Sequence, residues 1–307
     1  MKQSIISASH FHNEQAAYAF VESRIWSKGP VCPHCGSNER ISKMNGNSTR
    51  IGTYKCYICR KPFTVKIGTI FEDSHVPMRY WLQAIYLMSA SKKGISANQL
   101  HRTLGVTLKT AWFMGHRIRE AMREEEFVPF GMNGNTVEVD ETFIGKEENI
   151  PMRRGYAHKC KVLSLLDREL GKTRSMVVDN VSASELVPIL KENIAREARV
   201  MTDDAGQYKY LYQDFPNHGT VHHSKGEYIS RIDRSIHTNT LEGYFSIFKR
   251  GMKGIYQHCK KQHLHRYLAE FDFRYNKRIA RGIDDVSRAE RVLQGVVGRR
   301  LTYETTH

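Results

Sequence analysis

No stretch of this 307-residue sequence approaches the ~18 uninterrupted apolar residues that a membrane-spanning helix needs. The first twenty residues, MKQSIISASHFHNEQAAYAF, also lack the apolar run of a secretory signal. No membrane association is expected, and a reducing, cytosolic setting is. Acidic residues are in short supply: 32 Asp and Glu stand against 47 Lys and Arg, a net charge of +15. Such an excess favours a polyanionic partner, above all nucleic acid. There is no internal repeat and no low-complexity tract. Cysteine is scarce too, at six residues, and in a reducing compartment paired CxxC elements point to metal rather than to disulfides. With 40 % hydrophobic residues the chain can bury at least one sizeable core, and its length suits two or three domains.

Four of the cysteines form a pattern. Cys32-x2-Cys35 and Cys56-x2-Cys59 are separated by 20 residues, the spacing of a four-cysteine zinc site. Each turn can present two thiolates to one tetrahedral ion, and the interval suits a β-hairpin crossing. A structural Zn2+ would hold together a module too small for a core of its own. A redox dithiol is the alternative, but the thioredoxin-like βαβ context is missing. Cys160 and Cys259 stand alone and read as core or incidental thiols.

Periodicity divides the chain into zones. Residues 1–30 carry an N-terminal helix over 10–30, with Ala16, Ala17, Phe20, Val21 and Ile25 at helical spacing. Residues 31–75 are the ribbon. Residues 76–130 are helical, opening with Trp81, Leu82, Ile85, Tyr86 and Met88. Within them GISANQLHRTLGVTLKTAWFMGHRIREAM holds two helical patterns around Gly105-Val106. A short turn followed by a basic helix suits a DNA-binding helix-turn-helix. Thr107, Lys109 and Thr110 would meet base edges or phosphates, and Arg117 would add a phosphate contact. An ordinary helical hairpin with basic surface residues is the alternative.

Residues 136–280 change character. TVEVDETFIG reads as a strand, CKVLSLLDRELGKTRSMVVDNV as two strands, SASELVPILKENIAREA as a helix and RVMTDD as a short strand. This is an α/β pattern, and a basic helical tail at 281–307 ends the chain. Asp140 lies on the first strand, on the face opposite Val137 and Val139. Asp203 ends the short strand, and Glu242 lies on the later helix. Three carboxylates on separate elements can converge on two divalent cations, Mg2+ or Mn2+, ~3.5–4 Å apart, for phosphoryl transfer. Each also has a plainer role open to it. Glu138 and Glu141 read as surface charges, Asp203 or Asp204 as a helix cap, and Asn239 with Glu242 as a capping pair. On the helix from about Thr238 to Lys253, Leu241, Tyr244, Phe245, Phe248 and Met252 share a stripe expected to be buried. Asn239, Glu242, Ser246, Lys249 and Lys253 share another, so Glu242 could hold metal while Lys249 holds the adjacent phosphate. Arg250, Arg274 and Arg278, among basic residues interleaved with tyrosines, would track the DNA backbone.

VEVDETFIG, MTDDAGQY, HTNTLEGYFSIFKRGMKGIYQH and HLHRYLAEFDFRYNKR resemble the bacterial insertion-sequence transposases of the IS-fifteen-ninety-five (ISXO-two-like) group. CPHCGS, YKCYICRKPFTVKIGTIFEDS and PMRYWLQAIYLM resemble that group's zinc-ribbon region. The resemblance implies an RNase H-like catalytic fold preceded by the zinc ribbon and the helix-turn-helix. It also implies a DDE-type metal site at Asp140, Asp203 and Glu242, with Asn239 as an alternative third ligand. The expected substrate is double-stranded DNA, as inverted-repeat ends and target. The expected protein is cytoplasmic, nucleoid-associated and a homo-oligomer on DNA. A zinc-ribbon and helix-turn-helix regulator with an inactive nuclease domain is the competing reading.

Overall fold

A computed structural model describes residues 4–124, 127–148, 150–152, 154–223 and 226–302. The chain divides into two units: residues 1–123 with 278–307, and residues 124–277.

In the first unit, α1 (Glu14–Ile25) starts where the Asn13 side chain accepts the Ala16 N–H, a standard N-cap. It buries Ala17, Tyr18, Val21 and Glu22. A three-stranded antiparallel ribbon follows: β1 (Ile41–Lys43), β2 (Tyr54–Cys56) and β3 (Pro62–Phe63). Helix α2 (Met78–Ala90) buries Met78, Trp81, Leu82, Ile85 and Met88. Helix α3 (Ala97–Leu104) ends at Gly105, whose φ of 66° is the left-handed cap that favours glycine. Helix α4 (Leu108–Ala121) begins at once, capped by the Thr107 hydroxyl on the Thr110 N–H. The two expected helices and their short turn are therefore present. The C-terminal tail falls within this unit. Its helix α8 (Asp285–Gln294) packs on α1, α2 and α4, and Gly298 N–H donates to Gly68 O at 2.8 Å.

The second unit is a five-stranded mixed sheet with helices on both faces. Strand order is β6-β5-β4-β7-β8, from β4 (Thr136–Ile144), β5 (Cys160–Asp167), β6 (Lys172–Val178), β7 (Arg199–Asp203) and β8 (Gly219–Val221). The pairs β4–β5 and β5–β6 are antiparallel, whereas β7 runs parallel to both β4 and β8. Period-two alternation sorts β4 into two faces. Val137 and Val139 join Leu186 and Leu190 of α5 (Ala183–Asn193) in one core. On the other face, Leu241, Tyr244, Phe245 and Phe248 of α6 (Asn239–Gly251) pack with Leu264, Leu268 and Phe271 of α7 (Lys261–Asn276). The apolar stripe expected on α6 is the buried one, Met252 included. The α-helix itself stops at Gly251, and Met252–Tyr256 widens into a π turn, so Lys253 lies past its end.

Candidate active site

The ribbon closes its two knuckles with backbone bonds. Gly36 N–H donates to Cys32 O at 2.9 Å, and Cys56 N–H donates to Lys61 O at 3.1 Å. The four Sγ atoms lie within 4.8 Å of one another. Cys32 and Cys59 are 3.6 Å apart and Cys35 and Cys56 3.7 Å. A tetrahedral ion with Zn–S bonds of about 2.3 Å places its sulfurs roughly 3.8 Å apart, close to these two separations, so the cluster suits zinc. The surrounding core is small, with Cys32, Cys56 and Phe63 buried and Trp26 and Tyr54 packed on them.

The second unit gathers its acids where β7 ends beside the middle of β4. The β4–β7 register pairs Glu138 with Met201, so two residues on, Asp140 and Asp203 come level at the carboxyl end of β7. Burial, then the charges of Glu141 and Asp203, push the Asp140 carboxyl up to about 8. Burial also raises Asp203, against the hydrogen bond from Ala205 N–H to its Oδ1. Glu141 is pushed up to about 7, first by burial, while the Tyr208 hydroxyl and Gln207 amide donate to it. Glu242 sits on α6, with His223 Nε2 3.7 Å from its Oε1, and its charge acts on Asp140. His222 Nδ1 is likewise 3.7 Å from Asp204. Among the described residues only the four cysteines bring three or more ligand atoms within 4.8 Å, so the acidic cluster is the more open of the two.

What holds Glu242 over the sheet is Glu138. Its carboxylate is fully buried and accepts Leu241 N–H at 2.7 Å and Arg168 Nε at 2.6 Å. Glu138 is thus no surface charge, and it caps the first turn of α6. The Asn239–Glu242 capping pair does not form: the N-cap is Thr238, whose side chain caps nothing, and Asn239 is the first helical residue. Asp203, by contrast, does accept from Ala205 N–H, but in a turn that leads to a short 3-10 segment, Gly206–Tyr208.

Residues 132–276 match the family model of the ISXO2-like transposase domain, and residues 12–62 match that of the transposase zinc-ribbon domain. The two matches together cover well over half of the chain. Residues 132–276 thus resemble an ISXO2-like transposase domain, and residues 12–62 a transposase zinc ribbon. It is also similar to a protein of the transposable element ISH50 of Halobacterium salinarum, 27 % identical over 281 residues, or 86 % of this chain and 91 % of that one. The mixed five-stranded sheet is consistent with the RNase H-like fold of such a transposase domain.

Placement corrects several expected DNA contacts. In the transposase domain, Arg274 is 6 % exposed and forms an internal ion pair with Glu270, so it cannot follow a DNA backbone. Tyr244 is core, as its place on the buried stripe of α6 predicts, and it donates to Asp272 at 2.6 Å. Among the other basic residues of this region, Lys260, Lys261 and Lys277 are ion-paired to Glu148, to Glu147 and Asp179, and to Glu124, with the Lys260 pair exposed. Arg117 of the first unit is 6 % exposed and donates to the carbonyls of Ile70, Glu72 and Leu301. That makes it a structural residue and not a phosphate contact. Arg278 belongs to the first unit. Thr107, Lys109 and Arg250 are exposed, Thr110 and Lys249 half-buried. Burial lowers the Lys249 pKa, and the charges of Asp140 and Glu242 counter it. Glu141, His222 and His223 had gone unread as site residues. Only their adjacency to Asp140 and to the β8 end marks them, and the β8 strand is three residues long.

Proposed function

We propose that this chain is a DNA transposase that binds the terminal inverted repeats of its insertion sequence, then cleaves and joins DNA at a metal site of Asp140, Asp203 and Glu242. The observation that carries the reading is that Asp140 on β4 lies level with Asp203 at the end of β7 and feels the charge of Glu242 on α6, which Glu138 ties to the same strand. Carboxyl ends of parallel strands are where open α/β sheets form their sites.

The donor set suits hard divalent cations, which favour carboxylate oxygens. Asp140, Asp203 and Glu242 come from three separate elements, and such a set would hold two ions rather than one tightly caged ion. When bound, Mg2+ or Mn2+ supplies Lewis-acid activation of the attacking hydroxyl and neutralises charge at the phosphate. Asp140, Asp203 and Glu242 hold the cations. Glu141 is fixed by Tyr208 and Gln207 at the rim. Lys249, two helical turns from Glu242, holds the neighbouring phosphate. Glu242, with His223 beside it and its charge acting on Asp140, is a better third ligand than Asn239 at the helix start.

Recognition of the DNA ends is assigned to the α3–turn–α4 pair as a helix-turn-helix, through Thr107, Lys109 and Thr110. Arg250 contacts the backbone. The protein works in the cytoplasm on nucleoid DNA, as an oligomer that brings the ends together.

The test is metal-dependent cleavage and joining of a labelled duplex carrying the repeats that flank the gene. Asp140→Asn, Asp203→Asn and Glu242→Gln should each abolish cleavage and leave end binding intact. Cleavage by Asp140→Asn at the wild-type rate would refute the site. If Glu242→Gln cleaves and Asn239→Ala does not, the third ligand is Asn239.

A further inference from the structure

A cavity of about 460 Å3 lies in the second unit, and Lys249 is on its wall. The same lysine senses the charges of Asp140 and Glu242, so the cavity adjoins the acidic cluster. Its lining comes from three places. Phe143 is at the end of β4, three residues past Asp140. Tyr156 and Lys159 precede β5. Met252 and Lys253 sit on the π turn that follows α6, an irregularity often found at functional sites.

The chemistry of these walls is mixed in a specific way. The Phe143 and Tyr156 rings stack at 4.5 Å between centroids and 12° between planes. Lys159 Nζ stands 5.1 Å from the Tyr156 ring centroid. Tyr156 is 58 % exposed, so the pair is a surface platform and not part of a core. Three ammonium groups, an aromatic platform and a thioether leave an apolar ligand poorly matched, and so would a bare phosphate. A ligand with a flat π face and anionic groups matches all of them. The volume is within the range of small-ligand sites.

We propose that this cavity receives an unpaired nucleotide of the DNA strand. The base stacks on the Phe143–Tyr156 platform, and the flanking phosphates lie on Lys159, Lys249 and Lys253. The inference rests on the DNA-processing reading above and adds to it a subsite for a nucleotide outside the duplex. Extruding a base is least costly at a duplex terminus or gap, where a strand that is cut and rejoined must lie. Stacking tolerates any base, so the site serves strand geometry and not sequence.

The test uses the full chain with no added divalent cation, and fluorescence anisotropy with three probes: a blunt duplex, the same duplex with a three-thymidine tail, and the same tail built of abasic residues. The thymidine tail should bind about tenfold more tightly than the other two, as a single base–aromatic stack allows. Tyr156→Ala should erase that preference and keep blunt-duplex affinity within about twofold; Tyr156→Phe should retain it. A preference that survives Tyr156→Ala, or abasic and thymidine tails that bind alike, overturns the subsite. Blunt-duplex binding without tail preference overturns the subsite alone. Failure to bind any of the three DNAs overturns the DNA-processing reading with it.

Discussion

Replacing Glu138 with glutamine takes one charge from a place without solvent. The Glu138 side chain is 0 % exposed and Arg168 only 17 %. One oxygen accepts Arg168 Nε at 2.6 Å, and the other accepts Leu241 N–H at 2.7 Å. Arg168 further donates to the carbonyls of Ser235 and His237. Glutamine keeps the shape and one acceptor, but its amide NH2 must then face one of these two donors. A lost hydrogen bond to a charged group is worth ~1.5–3 kcal/mol, and full disruption of a buried pair ~3–5 kcal/mol. We therefore expect Glu138→Gln to destabilise the second unit by about 2–4 kcal/mol. All three tryptophans, Trp26, Trp81 and Trp112, lie in the first unit, so their fluorescence does not report on this change. Amide hydrogen exchange in urea over β4 and α6 does. Protection should fall first at the start of α6, and metal-dependent cleavage should fall with it as Glu242 loses its anchor. Exchange within about 0.5 kcal/mol of wild type, the scale of a surface substitution, would refute the clamp.

The ribbon should carry one zinc per chain. Stripping it with a strong chelator should unfold the ribbon, seen as a change in emission from Trp26 packed on Tyr54 and Phe63, while β4 and β5 stay protected from exchange; unchanged emission would count against a structural metal. Burial, opposed by hydrogen bonds from Tyr244 and Ser175, pushes Asp272 up to about 6. A carboxyl raised on folding contributes stability that is present below its unfolded value near 4 and is lost as pH rises through about 6. The stability gap between wild type and Asp272→Asn should therefore narrow by up to about 3 kcal/mol from pH 4 to pH 7. A gap independent of pH in urea denaturation would refute it.

Much of this architecture was legible because its signals are local. Cys32, Cys35, Cys56 and Cys59 are two short motifs, and ligand spacing needs no tertiary context. The strands from Thr136 to Asp203 announce themselves by alternation, and the buried stripe of α6 by its period. What misled was charge. Arg117 and Arg274 look like DNA contacts in a basic chain, but a guanidinium with enough donors can be buried against carbonyls or a carboxylate. Whether it is buried depends on residues as distant as Leu301 for Arg117. Glu138 was misread for the same reason: its partner Arg168 is 30 residues away, and Leu241 is 103. The packing of the tail was not legible, because α8 takes its position through contacts with helices near the other end of the chain.

The three acids on β4, Glu138, Asp140 and Glu141, show how one strand separates structure from chemistry. Glu138 is buried and Asp140 and Glu141 are half-buried, and their surroundings differ. Glu138 meets a guanidinium and a helix N–H, so its charge is balanced within the fold. Asp140 meets Glu141, Asp203 and Glu242, and burial and like charge both oppose its ionisation. Glu141 receives a hydroxyl and an amide, neutral donors that offset burial only in part. A sequence selected for stability alone would give Asp140 a partner such as Arg168, which lies one side-chain layer away on Glu138. An acid left among other acids, with its charge opposed by its surroundings, is one that a bound cation would stabilise. That imbalance, beside the carboxyl end of β7, is what supports the proposed metal-binding role of Asp140 and the supporting role of Glu138.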